Sequence, residues 1–248
     1  MGTGIHAIKK PPVLIQLALE NNNEGRSIAW ALDFPGCFAY GKDGSEALVA
    51  VPRAVLQYSD WIAGHSPNSW LANLGDFDLH MVETFECYTI NEAFERAPTG
   101  QGNEINAWFL NDWKPLTEED VRRALLLLEW NRADLLESFA GLKPEQRDQA
   151  HLGERWGING ILNHVGGAEW WYMDNLGLAG LERTQLSEVP EERLALVRAR
   201  LLEILPGLVE STLVTGKEGE LWSPRKMLRR ALWHERDHVQ HIRKLVLK

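Results

Sequence analysis

The spacing of hydrophobic and polar positions changes character once along this chain. From residue 12 to about 95, "VLIQLALE" (13–20) and "SIAWALDF" (27–34) alternate with a period of two, which predicts strands joined by the turn-rich "NNNEGR". After "PGC", the segment "FAYG" continues as a short third strand. Helical spacing follows in "DGSEALVAVPRAVLQYSDWIAG", with Gly64 near its end and the internal Pro52 as the place for a kink. "HMVETFECYTI" (80–90) alternates again and predicts a fourth strand. The expected order is β-β-β-α-β, a small α+β domain that occupies residues 1–110 together with its linker.

Past the polar stretch "ERAPTGQGNE" and the aromatic connector "AWFLNDWKP", the period becomes helical, and residues 111–248 read as an all-α four-helix bundle. The first helix opens at "LTEEDVRRALLLLEW", where Thr117 and Asp120 suit a capping box, and stops near Gly141. The second is "ERWGINGILNHVGGAEWWYMDNL" (154–176). The third is "PEERLALVRARLLEI", opened by Pro190 and ended or kinked by Pro206. The fourth is "SPRKMLRRALWHERDHVQHIRKLVLK", with Ser223 as N-cap and Pro224 at the first helical position.

Composition narrows the partners. The 248 residues carry 44% hydrophobic and 25% charged side chains and a formal charge of -9, ordinary for a globular protein and repelled by phosphate backbones and anionic lipid. No nucleic acid and no membrane are therefore expected as partners. The only basic cluster, "SPRKMLRR" (223–230), reads as a solvated helix face. The opening "MGTGIHAIKKPPVL" lacks the apolar stretch of a signal peptide, and no run approaches a membrane span. Cys37 and Cys87 lie far apart without C-x-x-C spacing and read as reduced thiols of a cytoplasmic protein. Eleven tryptophans are more than packing ordinarily uses, and Trp156, Trp170, Trp171 and Trp233 are placed to wall a pocket.

The chemistry is concentrated in histidines. "HERDH" (234–238) matches the H-E-x-x-H pattern of zinc proteases. At about 100° per residue, Met227, Ala231, His238, Ile242 and Leu245 fall on one side of the helix, with His234 at the edge of that stripe. Two histidines four residues apart, about 6 Å between Cβ atoms, can reach one ion at about 2.0–2.1 Å. A protease of this type takes its third ligand from downstream. Here "VQHIRKLVLK" follows, without carboxylate or glycine, and Lys244 stands where the later histidine belongs, so the protease reading fails. His241 lies about 10 Å along the axis from His234 and reads as an outer residue.

An upstream ligand exists. His164 sits at the edge of a stripe of Ile158, Ile161, Val165, Ala168 and Tyr172, in the relation to its own core face that His234 has. His164, His234 and His238 would give three nitrogen ligands and leave coordination positions open, the pattern of catalytic sites. Glu235 falls within the buried stripe, where a carboxylate needs a partner; a buried pair with an arginine or a tryptophan N–H is the expectation, with Glu169 in a similar part.

The segments "LTEEDVRRALLLLEWNRADLL", "GERWGINGILNHVGGAEWWYMDNL" and "RRALWHERDHVQHI" resemble the DinB-like (DNA-damage-inducible) superfamily of four-helix bundles over about residues 115–248. The resemblance implies a metal triad of His164, His234 and His238, a nickel or zinc ion, and a homodimer as a frequent state. It also implies, for some members, thiol S-transferase or isomerase activity with a low-molecular-weight thiol. The first half, through "LDFPGCFAYGKDGSEALVAVPRAVLQYSDWI", resembles the HicB antitoxin fold. Members of that family continue into a DNA-binding segment, which this chain replaces with the helical half.

Two functions compete at this point. One is a metal-dependent enzyme of thiol S-transferase or hydrolase type acting on a small molecule, the divalent ion generating a nucleophile near neutral pH. The other is a non-catalytic binding or regulatory module, in which the HicB-like half captures a partner and the metal braces the bundle. A nucleic-acid-binding antitoxin is a third reading, opposed by the acidic charge.

Overall fold

The computed structural model describes residues 12–72 and 74–247. Residues 1–11, which carry most of the segment read as lacking a signal peptide, lie outside the described residues. The chain is an α+β protein that divides into two compact units, residues 1–33 with 37–84 and residues 34–36 with 85–248.

In the first unit, β1 (Val13–Asn23), β2 (Arg26–Ala31), β3 (Phe38–Gly41) and β4 (Phe77–Glu86) form one sheet in the order β3-β2-β1-β4. The hairpin β1–β2 is antiparallel and turns at Glu24 and Gly25, both at positive φ, with a register irregularity between Glu20 and Asn23. That irregularity carries β1 three residues beyond the expected end. Helix α1 (Gly44–His65) packs on β1, β2 and β3. It is capped by Asp43, whose carboxylate accepts from the Glu46 N–H, and it buries the stripe Ala47, Val51, Val55, Tyr58 and Ile62. The helix runs unbroken through Pro52, which lies on its exposed side.

The strand expected over 80–90 is two strands. β4 ends at Glu86, and β5 (Tyr88–Ile90) belongs to a second sheet, between β6 (Arg96–Ala97) and β7 (Asn103–Ile105). The buried Cys87 separates them. The polar stretch taken as linker thus contains strands of its own.

The rest of the second unit is mainly helical: α2 (Glu118–Glu137), a short α3 (Pro144–Arg147), α4 (Ile158–Asp174), α5 (Pro190–Ile204) and α6 (Pro224–Val246), with the hairpin β8 (Thr215–Lys217)–β9 (Glu220–Trp222) before the last. Local signals set the helix starts. Thr117 Oγ1 accepts from the Asp120 N–H at 3.1 Å while Asp120 returns the bond at 2.9 Å, and Ser223 Oγ accepts from the Lys226 N–H at 3.2 Å. α4 starts four residues later than the spacing predicts, with Gly157 as its N-cap, where a Cβ would lie 2.9 Å from the Arg147 and Gln149 carbonyl oxygens. α4 packs on α5 and on α6, and α2 packs on α6. Leu135, Phe139, Ile161, Leu162, Val165, Leu194 and Ile242 meet in one core among them.

The "SPRKMLRR" run is not a solvated face. Lys226, Arg229 and Arg230 are all buried. Lys226 Nζ donates to Glu220 and to the Leu221 carbonyl, Arg229 donates to Asp112 and the Ala107 carbonyl, and Arg230 lies over the Trp233 ring. The positive charge is spent on partners inside the same unit. No described helix is long and apolar enough to cross a membrane.

Candidate metal centre

α4 contributes His164 and α6 contributes His234 and His238, and the packing of these two helices brings the three rings together. His234 Nε2 lies 3.0 Å from His164 Nε2 and 3.2 Å from His238 Nε2, and all three ligand atoms lie within 4.8 Å of one another. Two nitrogens at about 2.0–2.1 Å from one cation are separated by about 2.9–3.4 Å, according to whether the angle between them is near 90° or tetrahedral. Both spacings on His234 fall in that range, and the three residues form a group able to hold one cation.

The protonation chemistry points the same way. A neutral imidazole has one lone-pair nitrogen, and one proton can lie between only one pair of facing nitrogens, so a hub of three Nε2 atoms suits a cation better than hydrogen bonding. Burial, reinforced by the neighbouring imidazoles of His238 and His164 and by Arg230, holds the His234 imidazole well below its ordinary pKa and therefore neutral. His234 is the hub and the most enclosed of the three, and His238 is partly exposed. This inverts the expected helical phase. Residues 226–235 of α6 are buried on nearly every side, so no single stripe exists there, and the later core residues Val239, Ile242 and Leu245 place His238 off-centre.

His241 stands outside the trio, its Nε2 2.9 Å from Glu154 Oε2. Trp156 stacks on the His164 ring with centroids 5.0 Å apart and 30° between planes. Gly160 makes that possible: a Cβ there would lie 2.7 Å from Trp156 Cβ.

Glu235, the second residue of "HERDH", faces into a buried ion network. Its carboxylate accepts from Arg132 Nε and Arg198 Nη2, both at 2.6 Å. Glu169 accepts from Arg132 Nη2 at 2.8 Å and from Arg198 Nε at 2.7 Å. The four residues come one each from α2, α4, α5 and α6, and both arginines also donate to backbone carbonyls, of Leu194 and Leu128. Burial alone would raise the Glu235 carboxyl, but Arg198 and Arg132 outweigh it and hold the group below the usual carboxylate range. The expected arginine partners are thus Arg132 and Arg198. Arg198 was open to discovery from the sequence, because it lies on the apolar stripe of Leu194, Val197 and Leu201.

Beside His164 a cleft of about 640 Å³ opens along α4 under the segment that precedes α5. Trp156, Trp170 and Trp171 line it, as their sequence positions suggested; Trp233 does not, being buried against Arg230.

No protein-family model matches the chain, and no curated protein matches it.

Proposed function

We propose that α2, α4, α5 and α6 form a DinB-like four-helix bundle that holds a divalent cation, nickel or zinc, on His164, His234 and His238. We propose further that the protein is a metal-dependent enzyme of thiol S-transferase or hydrolase type acting on a small molecule. The observation that carries this reading is the convergence of three imidazole nitrogens, 3.0 and 3.2 Å apart on His234, with one of the three residues, His164, lining an open cleft. Three neutral ligands add no negative charge, and when bound the cation supplies Lewis acidity at its open positions.

The chain's own contribution is positional. His234 is fixed by burial, and its neutral state keeps a lone pair available without deprotonation near pH 7. The ring of His164 is fixed by the Trp156 stack while it borders the cleft, so a molecule lodged there meets the centre through this ligand. The buried ion network joins the two ligand-bearing helices one residue from His234. Buried Cys37 and Cys87 are thiols rather than a disulfide, in accord with a reducing compartment.

Elemental analysis of protein purified without added metal tests the proposal. About one equivalent of nickel or zinc per chain is expected, falling to about a tenth or less in His164→Ala. Wild-type protein that neither carries a divalent ion nor takes one up on titration would remove the reading.

A further inference from the structure

The cleft beside His164 has features that a simple gap between helix and loop would lack. Its lining is half polar and half apolar: Trp156, Trp170, Trp171 and Leu186 supply the apolar part, and Gly160, Gly167 and Ala168 of α4 are small. Three glycines of that helix differ in what they serve. At Gly160 a Cβ would strike Trp156, and at Gly166 it would lie 2.9 Å from Arg193 Cγ, so packing explains both. At Gly167, which lines the cleft, a Cβ would meet nothing within 4 Å. Glycine in a helix interior costs about 1 kcal/mol relative to alanine. The fold bears this cost with no packing reason, and the effect is an open floor.

The charge of the cleft is the second feature. The chain as a whole carries -9, yet the cleft is lined by two arginines and one carboxylate, Glu188. Glu188 is 96% exposed and screened by water. Arg193 is committed: its Nε donates to the Ser187 carbonyl at 2.7 Å and its Nη1 to the Asn163 carbonyl at 3.3 Å. Arg183 is different. Among the described residues its side chain has no hydrogen bond, ion pair or ring contact. An exposed, uncommitted guanidinium therefore lines the same cleft as three tryptophans and His164.

We infer that this cleft binds a small monocarboxylic acid with a flat apolar body, its carboxylate on Arg183 and its body over Gly167 between the tryptophans. A planar fork matches one carboxylate bidentately, whereas a phosphate dianion would leave charge that a single guanidinium does not compensate. The volume is within the range of small-molecule sites. The inference deepens the enzymatic reading by naming the substrate class, and rests on it only for the statement that the far end of the acid reacts near His164.

The test uses 3-phenylpropionate and its neutral amide as probes, with affinity read by calorimetry on the full metal-loaded chain and metal content measured on every sample. The acid is expected to bind about tenfold more tightly than the amide, a difference of about 1.4 kcal/mol. Arg183→Gln should bring the acid to the level of the amide while leaving the amide and the metal content unchanged. Gly167→Leu should abolish binding of both with metal retained. Gly167→Ala should melt no lower than wild type, which separates a filled cleft from a damaged fold. Equal affinity for acid and amide, an Arg183→Gln variant that keeps the acid preference, or tighter binding of phenyl phosphate would each overturn the inference. His164→Ala separates the two levels of the account. Acid binding that persists in metal-free protein leaves the cleft assignment standing, whatever becomes of the enzyme. Metal binding without acid preference sinks the cleft assignment alone.

Discussion

Replacing Glu169 by glutamine probes the interior on which the histidine centre depends. Arg132, Glu169, Arg198 and Glu235 sum to zero formal charge, and the two glutamates are only 4% and 2% exposed. Glu169→Gln keeps the shape but leaves a net positive charge among buried groups and weakens three contacts, to Arg132 Nη2 at 2.8 Å and to Arg198 Nε and Nη2 at 2.7 and 3.1 Å. Removing one partner of a buried pair costs about 3–5 kcal/mol, because the remaining charge is stranded out of water. For a chain of this size each kcal/mol lowers Tm by about 2–4 °C, so a fall of about 10 °C is expected. Urea titration of the metal-free protein, followed by tryptophan fluorescence, measures the loss without a contribution from ligand binding. Restoring neutrality with Arg198→Gln in the same chain should make the double variant at least about 1 kcal/mol more stable than the sum of the single losses predicts. A single-variant cost below about 1 kcal/mol, or strict additivity, would show that water reaches the network and that it does not organise the helices.

Other outcomes follow from the same geometry. His234 has a depressed native pKa, so below its ordinary value near 6.5 the unfolded chain takes up a proton that the native one refuses. The stability of metal-free protein should therefore be full above about pH 6.5 and fall as pH drops below it, by up to about 1.4 kcal/mol per unit for this group; His234→Phe should flatten that slope, and an unchanged slope would contradict it. Glu235, also depressed, should add a second loss as pH falls below about 4.3, seen as a lower urea midpoint and removed in Glu235→Gln. Gly219→Ala should destabilise by about 1–3 kcal/mol, since the residue has φ of 87° and its Cβ would lie 2.3 Å from Ile90 Cδ1; a neutral thermal melt would refute the turn. Chelation of a loaded sample should lower Tm in wild type and leave His238→Ala unmoved.

Much of the helical half is legible because its signals are local. The Thr117–Asp120 box, the Ser223–Pro224 start and the span of α5 all rest on residues within one turn of each other. The trio of histidines is legible for a related reason: His234 and His238 share a helix face, and one further histidine lies on the apolar edge of a neighbouring helix. What escaped depends on partners distant in sequence. Arg229 looks like part of a solvated run until Asp112 supplies a carboxylate 117 residues away. The small strands β5 to β9 are two or three residues long and pair across turns or intervening segments, so no period has room to appear. Only the Glu218–Gly219 pair at positive φ marks the β8–β9 turn in the sequence. The cleft, with Arg183 and Gly167, is formed when the segment before α5 folds over α4, and neither residue stands out by type or spacing.

Anomalous diffraction at the nickel or zinc edge, from crystals of protein never exposed to chelator, tests the central claim most directly. The account predicts one peak at about 2.0–2.1 Å from the Nε2 atoms of His164, His234 and His238, with at least one coordination position open toward the cleft. A peak centred instead on the His241–Glu154 pair, or the three imidazoles turned away from one another with no peak among them, would contradict it.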